Sequence, residues 1–320
     1  MTAPSALLVT GASGFVGTRL LKRVAAGESL IPPNAHIHAL SRSSPRIMPS
    51  GHPGGVTFHA CDLTDVDATQ RTLLGLSPAP TGVLHLAGLA NPRVAQDHPF
   101  HARAANATGT RNLLAGLADR GHPARVLVAS TAAVYGKNAA DKNGFIAQGT
   151  RAQARTAYGW SKRLSERVAR ACIAPNLDIM IARPYNHAGP GQETGYVVPD
   201  LAAELTAARA ECRAMLTGNL WPERDLLHVD DVLDAYLLLL EKGKHGQTYD
   251  VSSGDAVSIQ TLLDGLIQRI GAPIGFGCDE ARARPGEAAR IAGDPSSLRA
   301  LGWAPRFSVD DLLDAAVGEL

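Results

Sequence analysis

The chain has 320 residues, of which 45% are apolar and 19% charged, and a formal charge of +1. That length suits two domains, or one large α/β unit with an appendage, and the apolar share is enough for a sizeable core. The near-neutral charge excludes the basic field of a general nucleic-acid binder and the acidity of a disordered tail.

Strand patterns at 6–10, 36–40, 56–59, 82–86, 125–129 and 177–182 alternate with helix patterns at 15–26, 68–76, 101–120 and 157–173. This alternation predicts an α/β fold with a parallel, doubly wound sheet and helices on both faces. The runs are nearly continuous in apolar residues, as strands buried on both sides should be. After residue 183 the character changes, with Pro184, Gly189, Pro190, Gly191 and Gly195 close together. Helix patterns follow at 199–210 and 229–242, then short strands, helices and turns. This part reads as a smaller domain packed on the first.

Cys61, Cys172, Cys212 and Cys278 are far apart, with no CxxC pair. They fit neither a disulfide frame nor a zinc site, so no metal is expected, and they suit a reducing cytoplasm. No run approaches the ~20 apolar residues of a membrane helix, so no membrane partner is expected. The first residues lead straight into a strand pattern, without the charged-then-apolar signature of a signal peptide.

Thr10-Gly-Ala-Ser-Gly-Phe-Val-Gly17 follows the first strand and opens the first helix. In that context Gly11 permits a tight turn, Gly14 lets backbone N–H groups approach a pyrophosphate, and Gly17 lets the helix pack closely on the sheet. Ser13, Phe15 and Val16 complete the phosphate-facing turn, where free N–H groups and the helix dipole favour an anion. Residues 1–182, with the helix near 226–243 added, are therefore read as a Rossmann-type NADP(H)-binding domain. Residues 183–225 and 244–320 are read as a smaller α/β substrate domain.

The second strand ends Leu40-Ser41-Arg42-Ser43, with no carboxylate to hold a ribose 2′-hydroxyl. Arg42 could instead pair with a 2′-phosphate and stack on adenine, which favours NADP(H), with NAD(H) as the alternative. A solvated surface arginine is the plainer reading. Asp62 and Leu63, after the third strand, would lie near the adenine; a turn aspartate is almost as good an account of Asp62.

Tyr158-Gly-Trp-Ser-Lys162 puts Tyr and Lys on one helix face. Ser130 and Thr131 end the fifth strand, at the carboxyl edge where open α/β sheets bind ligands. Here the chain resembles the extended short-chain dehydrogenase/reductase superfamily, in its nucleotide-sugar epimerase/dehydratase/reductase branch. The resemblance rests on TGASGFVG at 10–17, HLAG at 85–88, NATGTRNLL at 106–114, STAAVYG at 130–136, YGWSK at 158–162 and RPYNHAGPGQ at 183–192. It implies that Tyr158 is the catalytic acid/base, Lys162 its partner and Thr131 the hydroxyl that positions a carbonyl. It also implies that Leu86, Ala87, Gly88 and Arg183, with Tyr158 and Lys162, touch the cofactor, and that Ser130 touches the substrate. A free tyrosine titrates near ~10. A nearby ammonium and a positive nicotinamide should bring Tyr158 toward neutrality.

Dehydratases of the GDP-mannose type carry a carboxylate two positions after the catalytic Ser/Thr, where this chain has Ala133. The C-terminal half is most similar to GDP-4-keto-6-deoxymannose reductases, over 183–202, 218–254, 282–287 and 293–305. That resemblance implies nucleotide-sugar contacts at Asn186, Val198, Arg224 and Arg284, a GDP-linked substrate, and reduction to GDP-rhamnose or GDP-6-deoxytalose. For each arginine a structural salt bridge is the competing account. A 4-epimerase, a GDP-mannose 4,6-dehydratase and a non-catalytic NAD(P) sensor are the alternative functions. The resemblance further implies a homodimer through the helices at 101–120 and 157–173, with Leu113, Leu114, Leu117, Leu164 and Val168 on their apolar stripes.

Overall fold

The computed structural model describes residues 4–136, 138–172, 174–270, 275–278 and 287–318. Arg284 and the 282–286 stretch lie outside the described residues.

Seven parallel strands form the main sheet: β1 Ala6–Thr10, β2 His36–Ser41, β3 Val56–Ala60, β4 Gly82–His85, β5 Ala124–Ala129, β6 Leu177–Pro184 and β7 Thr248–Val251. Their order is β7-β6-β5-β4-β1-β2-β3, and every pairing is parallel. The chain runs outward from β1 to β3, then returns to β4 and runs outward the other way. The reversal between β1 and β4 opens a crevice at the carboxyl ends of these strands, where such sheets bind ligands. The doubly wound α/β expectation holds.

Helices α1 Phe15–Ala25 and α5 Val229–Lys242 cover one face, with Leu20, Leu21, Val232, Leu233 and Tyr236 in its core. Helices α2 Val66–Gly75, α3 Gly109–Arg120 and α4 Ala157–Ala171 cover the other. β1 is buried along its whole length, as its ALLVT sequence requires. Two buried ion pairs, Arg19–Asp230 and Arg23–Asp234, tie α1 to α5.

Three departures from the sequence reading matter. α2 starts two residues early because Asp65 caps it, accepting the Ala68 N–H. The expected helix at 101–120 is broken into Pro99–Arg103, a π-helical turn Ala104–Thr108, and α3. Thr248–Val251 joins the main sheet, although the expected boundary gave it to the substrate domain. Its polar Asp250 disguised it, and that residue is fully buried with the Tyr135 hydroxyl donating to it.

The second region has its own core of Leu201, Leu205, Leu262, Leu266 and Leu312, from helices Val197–Ala210, Ile259–Ile270 and Val309–Val317. Its four-stranded sheet recruits Phe145–Ile146 from the first half of the chain. No helix among the described residues is long and apolar enough to cross a membrane, and no three metal-ligating side chains gather among them.

Midway along β2, His38 is buried, with Nε2 on the Pro78 carbonyl at 2.8 Å and Nδ1 on His59 Nε2 at 3.0 Å. Burial pulls its pKa down to about 4. The unfolded chain therefore binds this proton first as pH falls. The stabilisation is intact above the ordinary histidine range and is lost as pH drops toward about 4. His38→Leu should flatten this acid-side loss by about 2 kcal/mol, read from urea midpoints at neutral and mildly acidic pH. An identical pH slope in both proteins contradicts it.

Candidate active site

The glycine turn is built as its sequence demands. Gly11 has φ of +71°, and a Cβ there would lie 2.7 Å from the Ala87 nitrogen. A Cβ on Gly17 would lie 2.4 Å from the Gly11 carbonyl oxygen, so α1 packs directly against the turn. Ser13 and Gly14 are exposed, and Gly14 begins α1 with no side-chain cap and no acid in the first turn. An anion is thus neither mimicked nor repelled there. Phe15 stacks on the His187 ring, 6.2 Å between centroids, and Val16 leans on the core.

β4 is pinned to this turn. The Thr10 hydroxyl accepts the Ala87 N–H at 3.2 Å and pairs with His85 Nδ1 at 2.8 Å. Burial, helped by the Lys162 charge, pulls the His85 pKa down to about 3, so the ring is neutral. Leu86 and Ala87 are half-buried and Gly88 is exposed. A Cβ on Gly88 would meet Asn106 Oδ1 at 2.3 Å and Lys162 Nζ at 3.3 Å. Asn106, in the π turn, was missed by sequence reasoning. Its amide accepts from the Leu89 N–H and donates to the Leu89 carbonyl and to Ser161 Oγ. It locks the 86–89 loop against α4. The available signal was an asparagine, a weak helix former, in a long helix pattern.

At the outer edge Arg42 is exposed at the end of β2. Asp62 accepts the N–H and hydroxyl of Thr64, and these bonds, with the Arg42 charge, hold its pKa below the usual range. Leu63 is buried, and its carbonyl accepts from Asn112.

Helix α4 is fixed by its start. Thr156 caps α4, accepting the Gly159 N–H at 3.1 Å, and a Cβ on Gly159 would lie 2.5 Å from the Ala133 carbonyl. That contact seats α4 on the turn that carries Thr131. Tyr158, Lys162 and Thr131 come together: the Thr131 hydroxyl accepts the Ala133 N–H at 3.2 Å and lies near enough to Tyr158 to favour its phenolate, and Lys162 Nζ donates to the Ala129 carbonyl at 2.9 Å. Crowding around the Tyr158 hydroxyl pushes its pKa up to about 12. Lost hydration of the phenolate outweighs the help from Thr131; the expected lowering is for the phenol beside a positive nicotinamide. Burial pulls Lys162 down to about 8, opposed by the Glu166 charge.

Several expected contacts are arranged otherwise. Ser130 Oγ donates to Glu166 Oε1 at 2.6 Å, and Arg183 grips both Glu166 oxygens at 2.8 and 2.7 Å. These two side chains, expected to face substrate and cofactor, are turned into a buried ion pair. Arg224, expected to fork onto phosphate, donates to Glu287 at 2.6 Å and to the carbonyls of Glu223 and Ala288. Val198, expected in the pocket wall, is 1% exposed within the second core. Asn186 is exposed, with Nδ2 3.4 Å from the Asp225 carbonyl.

A family model described as the NAD dependent epimerase/dehydratase family matches residues 7–252. The chain belongs to that family. It is an NAD(P)-dependent oxidoreductase that modifies nucleotide sugars, as the epimerase/dehydratase family does. It is 31% identical to the GDP-6-deoxy-D-mannose reductase of Pseudomonas aeruginosa, over 98% of this chain and 96% of that protein. It is 28% identical to the dTDP-L-rhamnose 4-epimerase of Burkholderia thailandensis, over 98% and 93%. Among solved structures, RMD from Pseudomonas aeruginosa complexed with NADPH superposes with a TM-score of 0.81 at 28% identity, over 99% and 98% of the two chains. Relatives in this family include reductases, epimerases and dehydratases. The residues here fit the family's dinucleotide: Gly11 makes the tight turn at φ of +71°, and the α1 N-terminus beyond it is uncapped, exposed and acid-free.

Proposed function

We propose that this family member reduces the C4 keto group of GDP-4-keto-6-deoxymannose with NADPH, giving GDP-rhamnose or GDP-6-deoxytalose. The observation that carries the reading is Ala133. It is exposed on the turn beside Thr131 and Tyr158, and its methyl cannot move a proton where dehydration would need a carboxylate. Full-length similarity to a GDP-6-deoxy-D-mannose reductase supports the sugar and the GDP. The bound dinucleotide supplies hydride. Tyr158, held protonated at neutral pH, gives its proton to the C4 oxygen. Thr131 donates a hydrogen bond to the same oxygen, and Lys162 keeps a positive charge beside the phenol as its proton leaves. The test is NADPH oxidation with the GDP-, UDP- and dTDP-linked 4-keto-6-deoxyhexoses in parallel. Turnover confined to the GDP sugar supports the reading, and turnover confined to another nucleotide overturns it.

The dTDP-L-rhamnose 4-epimerase relative keeps a 4-epimerase as the second reading. Such an enzyme returns its hydride and consumes no cofactor, so stoichiometric oxidation separates the two.

NADPH preference rests on Arg42, exposed at the end of β2, with no carboxylate closing that strand. Arg42→Ala should weaken NADPH binding about tenfold and leave NADH binding unchanged, by fluorescence titration of each. Equal weakening of both would remove Arg42 from the 2′-phosphate.

The homodimer belongs to the same proposal, on the part of the expected stripes that the sheet leaves uncovered: Leu164 and Val168 are half-buried and follow Trp160 at four-residue steps along α4. Leu113, Leu114 and Leu117 are spent on the sheet core. Phe100 and Trp160, 83% and 49% exposed, share one cleft on the outer side of the same helical layer. Light scattering should give twice the chain mass, and Phe100→Glu with Trp160→Glu should halve it. A wild-type monomer at micromolar concentration contradicts the dimer. The free thiols of Cys61, Cys172 and Cys212 fit a reducing cytoplasm.

A further inference from the structure

Three consecutive residues at the end of β5 are held by three residues of α4. The Ala129 carbonyl accepts from Lys162, the Ser130 hydroxyl donates to Glu166, and the Thr131 hydroxyl meets Tyr158. Two of these helix residues carry the chemistry. The third, Glu166, touches no reacting atom, yet it lies one helical turn beyond Lys162 and is 2% exposed. A carboxylate this deeply buried needs strong compensation. It has it: Ser130 at 2.6 Å, the Arg183 fork at 2.8 and 2.7 Å, and Arg170 at 3.5 Å. Arg183 is held in turn, with its guanidinium 4.7 Å from the centre of the Tyr135 ring.

We propose that Glu166 is a positioning residue for the reduction: it fixes the register of α4 against the end of β5, and it stands as a buried countercharge one helical turn beyond Lys162. The two roles come from one carboxylate. Through Ser130 it sets the height of the neighbouring Thr131 hydroxyl relative to Tyr158. Through space it opposes the loss of the Lys162 proton that burial promotes. The other groups facing Lys162 supply no such help. His85, on β4, is neutral, and Tyr158, on α4, is protonated. Arg183, on β6, is positive and is neutralised by its fork onto Glu166. Glu166 therefore does two jobs for Lys162, as an attractive charge and as the neutraliser of Arg183.

The inference rests on Tyr158 and Lys162 as the acid pair, so the test includes a readout that needs no substrate. The chain has six lysines, few enough to follow Lys162 by 13Cε-lysine NMR against pH, with Lys162→Met giving the assignment. In Glu166→Gln the Lys162 midpoint should fall by about one unit. The alkaline limb of kcat should fall with it, kcat should drop about tenfold, and KM should stay within about twofold. Glu166→Asp keeps the charge on a shorter arm. It should return the Lys162 midpoint to the wild-type position while kcat stays low. An unmoved Lys162 midpoint in folded Glu166→Gln overturns the electrostatic role. A loss of kcat with an unmoved alkaline limb leaves only a structural role and equally overturns the proposal. If Glu166→Gln does not fold, Ser130→Ala decides. It removes the grip on β5 but keeps the ion pair, so kcat should fall about fivefold with the Lys162 midpoint unchanged. Wild-type kcat in Ser130→Ala overturns the proposal. Should wild type itself turn over no keto-sugar, the substrate reading fails, while the Lys162 titration still judges Glu166.

Discussion

Tyr158→Phe should lower turnover by about a thousandfold and leave NADPH affinity within about twofold. The change removes one hydroxyl and keeps the ring. That hydroxyl meets Thr131, and crowding around it keeps it protonated, with a pKa pushed up to about 12. A proton donor must hold its proton at working pH, and this one does without any partner that strips it. The seat of α4 is the close approach of Gly159 to the Ala133 carbonyl, which the change does not touch, so the helix should stay in place. The wild-type enzyme should show the matching pH dependence. Reduction holds at neutral pH and declines as pH rises through about 8, where Lys162 gives up its proton. Stopped-flow absorbance at the nicotinamide band reads both effects. Normal turnover in Tyr158→Phe would remove Tyr158 from the chemistry.

Gly11→Ala should be strongly damaging to the cofactor half. It puts an alanine at φ of +71°, which costs about 1 kcal/mol. It also drives Cβ to 2.7 Å from the Ala87 nitrogen and 2.8 Å from its Cα. Those are backbone atoms of the loop that Thr10 and Asn106 hold, so they cannot swing aside. The expected loss is about 3 kcal/mol in stability, with cofactor affinity down by two orders of magnitude or so. Gly121→Ala is the control. It has φ of +74° but nothing within 4 Å of its Cβ, so it should cost only the conformational term and leave cofactor binding intact. Equal effects in the two variants would show that the turn tolerates the methyl.

The sheet was readable in the sequence because its strands are short apolar runs between glycine and proline turns. β1 and β4 are buried end to end, and the helix at Val229–Lys242 sits where its periodicity places it. The proposed catalytic trio was equally readable, since Tyr158 and Lys162 share a helix face and Thr131 follows a strand. What stayed hidden depends on partners distant in the chain. Ser130 and Arg183 find Glu166 from 36 and 17 residues away. Arg224 finds Glu287 from 63 residues away. No local pattern distinguishes an arginine waiting for phosphate from one already paired. The π turn at Asn106 was hidden too, because one extra residue in a helical turn leaves the 3.6-residue period almost undisturbed.

The most direct measurement uses NADPH deuterated at the transferred position, with GDP-4-keto-6-deoxymannose as substrate. One deuterium at hexose C4 in GDP-rhamnose or GDP-6-deoxytalose, with one cofactor oxidised per product, is the predicted result. Conversion without net cofactor oxidation, or no conversion of this sugar at all, would contradict the account.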